Sequence, residues 1–432
     1  MERWDNSFKV NRRNFFGLGM AGIAGLGLAG TPKRGQAAET PDPGEVFMMF
    51  PGNYTWSAAV RGAIGASIGG GGEMGEIYRV CAALKGRSGD NAAWFEEWNK
   101  MGEKVALLAD QAKDKGYLQT ASAAYMRAAF YIQVGERLRQ PRTPETQKAY
   151  ARSIELFKKG LPDVPFLSIE PVEIPFEGGK SLPAYFVKQR GTPTVKWPTV
   201  VFFDGLDITK EIQYFRVPDL AKRGMACLIV DGPGNGESIR FRGMTARYDS
   251  NVAGSAAVDY LEKREDVDKD RIAVMGVSLG GYFAPRCAAF EKRFKACVAW
   301  GAVYDMHALW MSRLAKLRAE KGYKPALSVP AEHLTWFMGV DSLEEAVKKT
   351  EPFTLKGVAG KIECPFLLTH GEADAQVPLE DARKEFAEVG SKDKTLKIFT
   401  REGGGAEHCQ GDNLTIGIAY IGDWLSDRLK TH

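Results

Sequence analysis

Arg271-Ile272-Ala273-Val274-Met275-Gly276-Val277-Ser278-Leu279-Gly280-Gly281 is the stretch on which the fold turns. Five residues that read as a buried strand run into Gly-x-Ser-x-Gly, and an alanine-rich helical pattern starts near Gly281. A strand that passes at once into a helix lifts the serine hydroxyl above the sheet, and its glycines permit the tight turn. The helix N-terminus beneath the serine favours developing negative charge. In a chain with 48 glycines the pattern alone is weak. Its context makes it informative.

A serine hydroxyl becomes a useful nucleophile only when a base takes its proton and a carboxylate fixes the base's tautomer. Both partners follow in order. Asp374 lies in the turn after the apolar run Phe366-Leu367-Leu368-Thr369, with Glu372 as the fallback acid. His408 follows the strand-like run 396–400 and the glycines 403–405. There are five histidines; His307 and His333 precede the acid, His370 ends the strand before it, and His432 is terminal. Order therefore selects His408. The expected oxyanion donors are the backbone N–H of Leu279 and that of Leu206, with Gly205 as the alternative to Leu206. No cofactor is expected, and no His/Cys/Asp/Glu cluster has metal-ligand spacing.

Strand-like runs at 172–176, 184–188, 199–203, 226–230, 271–275, 296–300, 365–369 and 396–400 alternate, later in the chain, with helical patterns. This predicts an α/β fold with a mainly parallel sheet, helices on both faces, and the first two strands as an antiparallel hairpin at one edge. Residues 51–165 form an expected N-terminal helical cap region, with helices at 92–115, 118–139 and 145–159. Trp94, Phe95, Trp98, Tyr125, Phe130 and Tyr131, at helical spacing there, read as core. The catalytic domain is expected over 166–432. An insertion at 301–363 would overhang the strand ends, and Trp310, Trp336 and Tyr304 are the candidate substrate-pocket residues. Gly69–Gly72 reads as flexible chain, and Asp231-Gly232-Pro233-Gly234-Asn235-Gly236-Glu237-Ser238 as a sharp structural turn.

The chain has 58 Lys and Arg against 54 Asp and Glu. Residues 1–37 hold six of the former and two of the latter, so 52 of each remain and the excess charge lies at the start. Nucleic-acid binding is not expected. Asn11-Arg12-Arg13-Asn14-Phe15-Phe16, a glycine-diluted apolar run to Gly30, and Gly35-Gln36-Ala37-Ala38 resemble a twin-arginine signal peptide. The two G-x-G-x-x-G matches at 17–22 and 25–30 fall inside it and follow no strand, so neither is a dinucleotide site. A soluble periplasmic protein that uses the twin-arginine export machinery is expected, with a linker over 38–50. Anchoring to the inner membrane by an uncleaved signal is the alternative. Six cysteines show no C-x-x-C pair. Cys227, Cys297 and Cys364, in apolar strand-like runs, are expected to be buried reduced thiols, and Cys409 a packed neighbour of His408.

A family resemblance joins these segments. Gly205-Leu206-Asp207-Ile208-Thr209-Lys210-Glu211, the Asp231 loop, Val277-Ser278-Leu279-Gly280-Gly281, Trp300-Gly301 and Glu407-His408-Cys409 resemble one α/β-hydrolase family. Its members include 2,6-dihydroxypseudooxynicotine hydrolase, fungal polyketide-shortening hydrolases and FrsA-like esterases. Trp94-Phe95-Glu96-Glu97-Trp98 and Tyr125-Met126-Arg127-Ala128 resemble its helical N-terminal region. The resemblance implies an α/β-hydrolase fold, a helical cap, a Ser-Asp-His triad and, in several members, hydrolysis of a carbon–carbon bond beside a ketone. One departure is Ser312, which stands where the pseudooxynicotine enzyme carries an additional acid.

The resulting expectation is a serine hydrolase that cleaves a small carboxylic ester or a C–C bond next to a ketone. Three other readings stand beside it. A peptidase of prolyl-oligopeptidase type would normally carry β-blades ahead of the catalytic domain, and none are seen. A non-catalytic binding protein on a hydrolase scaffold would not need the three residues. A dienelactone-type hydrolase would carry Cys at the elbow. The expected partner is a small-molecule substrate, and a homodimer is left open.

Overall fold

Strands β1 (Leu167–Pro175) and β2 (Ser181–Gln189) pair antiparallel in register from Leu167–Gln189 to Pro175–Ser181. The remaining strands are β3 (Trp197–Phe203), β4 (Ala226–Val230), β5 (Val267–Val277), β6 (Cys297–Trp300), β7 (Phe366–Gly371) and β8 (Lys394–Phe399). The sheet has eight strands in the order β1-β2-β4-β3-β5-β6-β7-β8. From β4 onward every neighbouring pair is parallel, and β2 joins β4 antiparallel. This is the α/β-hydrolase fold, with the expected hairpin at one edge. The computed structural model describes residues 47–191 and 196–431. The expected signal at 1–37 lies outside the described residues, as does the expected linker apart from residues 47–50.

The central strands are buried on both faces, which is why they read as unbroken apolar runs. Successive side chains still point to opposite sides. Val200 and Phe202 of β3, Ala273 and Met275 of β5, and Cys227 and Ile229 of β4 enter one core. Val201 and Phe203, Ile272 and Val274, and Leu228 and Val230 enter the other.

The first core is closed by five helices that precede the sheet: α1 (Tyr54–Gly65), α2 (Met74–Ala83), α3 (Asn91–Asp114), α4 (Leu118–Arg137) and α5 (Pro144–Gly160). Asp90 caps α3 through the amides of Ala92 and Ala93, and Thr143 closes a capping box on α5. Trp56, Trp94, Trp98 and Tyr131 form a chain of ring contacts with centroids 4.8–5.6 Å apart. All six aromatics expected in the core are buried there. The helices α1 and α2 lie ahead of the first helix expected from the sequence. The buried face of α1 consists largely of Ala59, Ala63 and Ser57, with Trp56, Val60 and Arg61.

Helices α6 (Lys210–Tyr214) and α7 (Val217–Lys222) follow β3, while α8 (Gly236–Arg240) and α9 (Asn251–Leu261) follow β4. The helix α10 (Gly280–Phe290) follows β5 directly. Between β6 and β7 the chain forms α11 (Met306–Ala319), α12 (His333–Met338) and α13 (Leu343–Lys349). Finally α14 (Leu379–Glu388) follows β7 and α15 (Leu414–Leu429) ends the described chain. The run at Gly69–Gly72, read from sequence as flexible, is a packed turn. A Cβ on Gly69 would lie 2.2 Å from the Phe215 carbonyl oxygen, so only glycine allows that approach.

Candidate active site

Ser278 sits one residue beyond β5 with φ of +58°, a strained left-handed backbone for a residue with a side chain. Its own amide donates to the Trp300 carbonyl at 2.8 Å, and its carbonyl accepts from the Gly281 amide at 2.7 Å. The elbow glycines are required by space. A Cβ on Gly276 would lie 2.1 Å from the Gly280 oxygen, and one on Gly281 1.6 Å from the Gly301 oxygen. Backbone meets backbone there, so no side-chain rotation could relieve the clash.

Asp374 and His408 arrive from the ends of β7 and β8. The Asp374 Oδ1 accepts from the amides of Gln376 at 2.8 Å and Val377 at 2.9 Å, leaving Oδ2 to face His408 Nδ1 at 2.7 Å. The His408 Nε2 then lies 2.8 Å from the Ser278 Oγ. This network puts the proton on Nδ1 and leaves Nε2 to accept from the serine. The His408 loop is clamped from behind by Asp412, whose carboxylate accepts from the amides of Gly405, Ala406 and Glu407 at 2.9–3.1 Å. Burial opposes the imidazolium, but the Asp374 carboxylate outweighs it and Cys409 adds to it, so the His408 pKa lies well above 6.5. Burial likewise raises Asp374 while His408 lowers it, and the net direction is downward. A hydroxyl, an imidazole and a carboxylate in one hydrogen-bonded line can carry out nucleophilic acyl transfer.

The other acids and imidazoles are otherwise engaged. The Glu372 Oε1 accepts from the Arg401 amide. His370 is buried, accepting from the Ala302 amide and donating to the Val377 carbonyl. His333, which sequence order set aside, braces the loop after β3. Its Nδ1 faces Gln140 and Arg142, and its Nε2 donates to the Leu206 carbonyl at 3.2 Å. Burial, then Arg142 and Arg240, hold His333 well below 6.5, so it is a fixed neutral donor.

The same loop is held from a second side. The Asn235 side-chain amide donates to the Gly205 carbonyl at 2.6 Å, which fixes the plane of the Gly205–Leu206 peptide and turns the Leu206 N–H the opposite way. Among the described residues neither the Leu206 nor the Leu279 amide donates to a backbone carbonyl. Beneath the loop, the Lys210 ammonium contacts Asp231 at 2.9 Å, Glu237 at 2.6 Å and Glu211 at 2.7 Å, all buried or nearly so. The Asp231 carboxylate also accepts from the amides of Lys210 and Glu237. The glycine-rich loop after β4 thus folds around Asp231; a Cβ on Gly236 would fall 1.9 Å from that carboxylate.

Two lobes of open space meet at Ser278, His408, Gln376 and Ser328. One is apolar, lined by Leu206, Leu279, Val303, Met306, Trp310 and Leu327. The other encloses about 690 Å³, mouth included, and is rich in charge: Arg61, Arg137, Asp207, Arg216 and Glu407 line it with Tyr54. Of the three expected pocket residues, only Trp310 lines either lobe. Trp336 is instead stacked between the guanidinium groups of Arg142 and Arg240 at 4.5 and 5.1 Å, and Tyr304 donates to Glu388 at 2.6 Å. Ser312 is exposed on α11 and lines neither lobe. Sequence reading missed Tyr54 and Arg61 altogether: the helix α1 that carries them lies ahead of the first expected helix, and no motif marks either residue.

Comparison with known proteins places this geometry among relatives. A family model described as the prolyl oligopeptidase family matches residues 210–431. A hydrolase of Aspergillus aculeatus (acrC) is 30% identical over 366 residues, covering 76% of this chain and 84% of that protein. The 2,6-dihydropseudooxynicotine hydrolase of Paenarthrobacter nicotinovorans is 30% identical over 342 residues, covering 78% of this chain and 84% of that protein. A crystal structure of the 2,6-dihydroxy-pseudo-oxynicotine hydrolase matches with a TM-score of 0.70 and 28% identity, over 85% of this chain and 95% of that one.

Proposed function

This chain belongs to the α/β-hydrolases of the prolyl oligopeptidase family, and from that premise we propose that it is a serine hydrolase working through an acyl-enzyme. The observation that carries the proposal is the imidazole of His408, held at 2.7 Å from Asp374 and 2.8 Å from Ser278. Ser278 attacks a carbonyl carbon while His408 takes its proton and Asp374 orients the ring. The Leu279 and Leu206 amides, both uncommitted, receive the oxyanion. His408 then returns the proton to the leaving group, and water attacks the acyl-enzyme by the same route.

The proposed substrates are small molecules, either carboxylic esters or compounds with a C–C bond next to a ketone. The helical segment ahead of the sheet and the 301–363 insertion enclose them. For C–C cleavage the leaving group departs as a carbanion-like enolate, and His408 is the group positioned to protonate it. A peptidase or amidase is the second reading, favoured by the matched family's description. Against it, the described residues ahead of β1 are helical where blades would be expected. Export to the periplasm by the twin-arginine route, with signal anchoring as the alternative, completes the proposal.

The test is mass spectrometry of fluorophosphonate-treated protein, followed by a panel of p-nitrophenyl esters, acylphenols, β-diketones and aminoacyl amides. Ser278→Ala serves as control. Labelling at Ser278 with ketone turnover is the C–C hydrolase outcome, and labelling with ester turnover alone is an esterase. Full activity in Ser278→Ala would overturn the proposal.

A further inference from the structure

The charged lobe beside Ser278 holds three guanidinium groups, and two of them are matched by carboxylates. Arg61 pairs with Glu407 at 3.3 Å, and Arg137 pairs with Asp207. Arg216 has no carboxylate within ion-pair distance among the described residues. Its Nη1 donates to the neutral side-chain oxygen of Gln213 at 2.6 Å, while its Nε is buried without an acceptor. Asp204 forms no ion pair with it among the described residues, and burial and the neighbouring Asp231 push that carboxyl well above its ordinary value. Asp207 is already committed to Arg137.

Burial lowers the Arg216 pKa to about 10, so the group still carries its charge at neutral pH. Leaving a cation in such a place is costly unless an anion arrives. The position is also aimed at the reaction. The guanidinium lies 5.9 Å from the Trp300 ring centroid, and the Trp300 carbonyl accepts from both the Ser278 amide at 2.8 Å and the Cys409 thiol at 3.3 Å. The Trp300 indole is pinned in turn by Gln410 at 2.7 Å. Arg216 and Ser278 line one lobe. Arg313, in the apolar lobe, differs: Trp310 covers its face and it donates to the Gln376 carbonyl.

We propose that Arg216 determines specificity by binding a carboxylate on the substrate. The scissile carbonyl then lies at Ser278 and the apolar part of the molecule in the lobe of Trp310. The terminal guanidinium nitrogens, beyond the sealed Nε, are the charged donors that would meet a carboxylate oxygen. The position of the carbonyl rests on the serine-hydrolase reading; the anion site itself does not.

Two matched pairs test the proposal: mono-p-nitrophenyl glutarate against p-nitrophenyl pentanoate, and 4-acetoxybenzoate against phenyl acetate. They place the carboxylate on the acyl side or on the leaving group. One carboxylated member is expected to have a kcat/KM on the order of tenfold or more above its neutral partner. In Arg216→Gln that ratio should fall about tenfold, through KM on the anion, and Arg216→Lys should keep part of it. No preference in the natural protein, or one that survives Arg216→Gln, would overturn the proposal. Calorimetry of glutarate binding to Ser278→Ala separates the two readings. Binding lost with Arg216→Gln supports the anion site even if fluorophosphonate never labels Ser278. Labelling of Ser278 with binding indifferent to Arg216 removes the anion site and leaves the hydrolase.

Discussion

The guanidinium of Arg61, on the first helix, lies 3.3 Å from the carboxylate of Glu407, the residue immediately before His408. Both side chains are buried, at 6% and 5% exposure. Tyr54, two turns earlier on the same helix, donates to the same Glu407 oxygen at 3.1 Å and accepts from Gln376 beside Asp374. The segments that carry His408 and Asp374 are therefore both braced by a helix from the far end of the chain.

Replacing Arg61 with Leu leaves Glu407 buried without its cation. Breaking a buried pair from one side costs about 3–5 kcal/mol. The expected result is a lower midpoint in urea and a fall in kcat/KM as the His408 loop loosens. The double variant Arg61→Leu/Glu407→Leu should regain part of the stability. If each single change and the double are equally stable, the pair has no coupling and the brace is absent.

The pH profile follows from His408. The ring must be neutral to take the Ser278 proton, and its pKa is held well above 6.5. Activity should therefore rise with pH, and the midpoint of the acid limb of kcat/KM should lie above 6.5. Asp374→Asn removes the carboxylate that raises it, so the limb moves down while kcat falls by about 10⁴-fold. A limb unchanged by that substitution would assign the titration to another group.

Two glycines should respond in opposite ways to alanine. A Cβ on Gly281 meets the Gly301 backbone oxygen at 1.6 Å, so Gly281→Ala should fail to fold or melt far lower. A Cβ on Gly205 meets the Ser278 Cβ at 3.0 Å and its Oγ at 3.5 Å. Gly205→Ala should keep its melting temperature within a few degrees and lose about 10²-fold in kcat, the cost of displacing a reacting group. Thermal denaturation beside kinetics on both variants decides the matter.

Lys210→Met removes the cation that, among the described residues, pairs with Asp231 and Glu211, both fully buried. A loss of about 3–5 kcal/mol in urea unfolding is expected. A stability within 1 kcal/mol of the natural protein would mean that these carboxyls take up protons and need no ammonium.

The central strands were legible because a strand buried on both faces is an apolar run with no polar residue to blur it, while the edge strands β1 and β8 mix in exposed or half-buried polar residues. Val200, Val201, Phe202 and Phe203 illustrate this, pointing to two cores in turn. Ser278, Asp374 and His408 were legible because each follows such a run. The walls were not. The side of α1 that lines the charged lobe is Tyr54, Ala58, Arg61, Gly62 and Gly65, and no motif marks it. Trp336 and Tyr304 read as pocket residues from their position in the insertion. What decides their place is a pair of arginines and a glutamate, Arg142, Arg240 and Glu388, brought from other elements by the fold. Arg216 could not be singled out either, since a missing partner is a property of three dimensions.

The contact between α1 and Glu407 has a consequence for how such an enzyme can diversify. One short helix both lines the charged lobe beside Ser278 and steadies the loop that carries the His408 imidazole. Exchanging the N-terminal helices between relatives to obtain a new preference would therefore also retune the base. Selection for new substrates has to move through changes in that helix that spare Tyr54 and Arg61, or through positions of the insertion opposite other than His333 and Arg313, which hold the Leu206 loop and the Gln376 carbonyl.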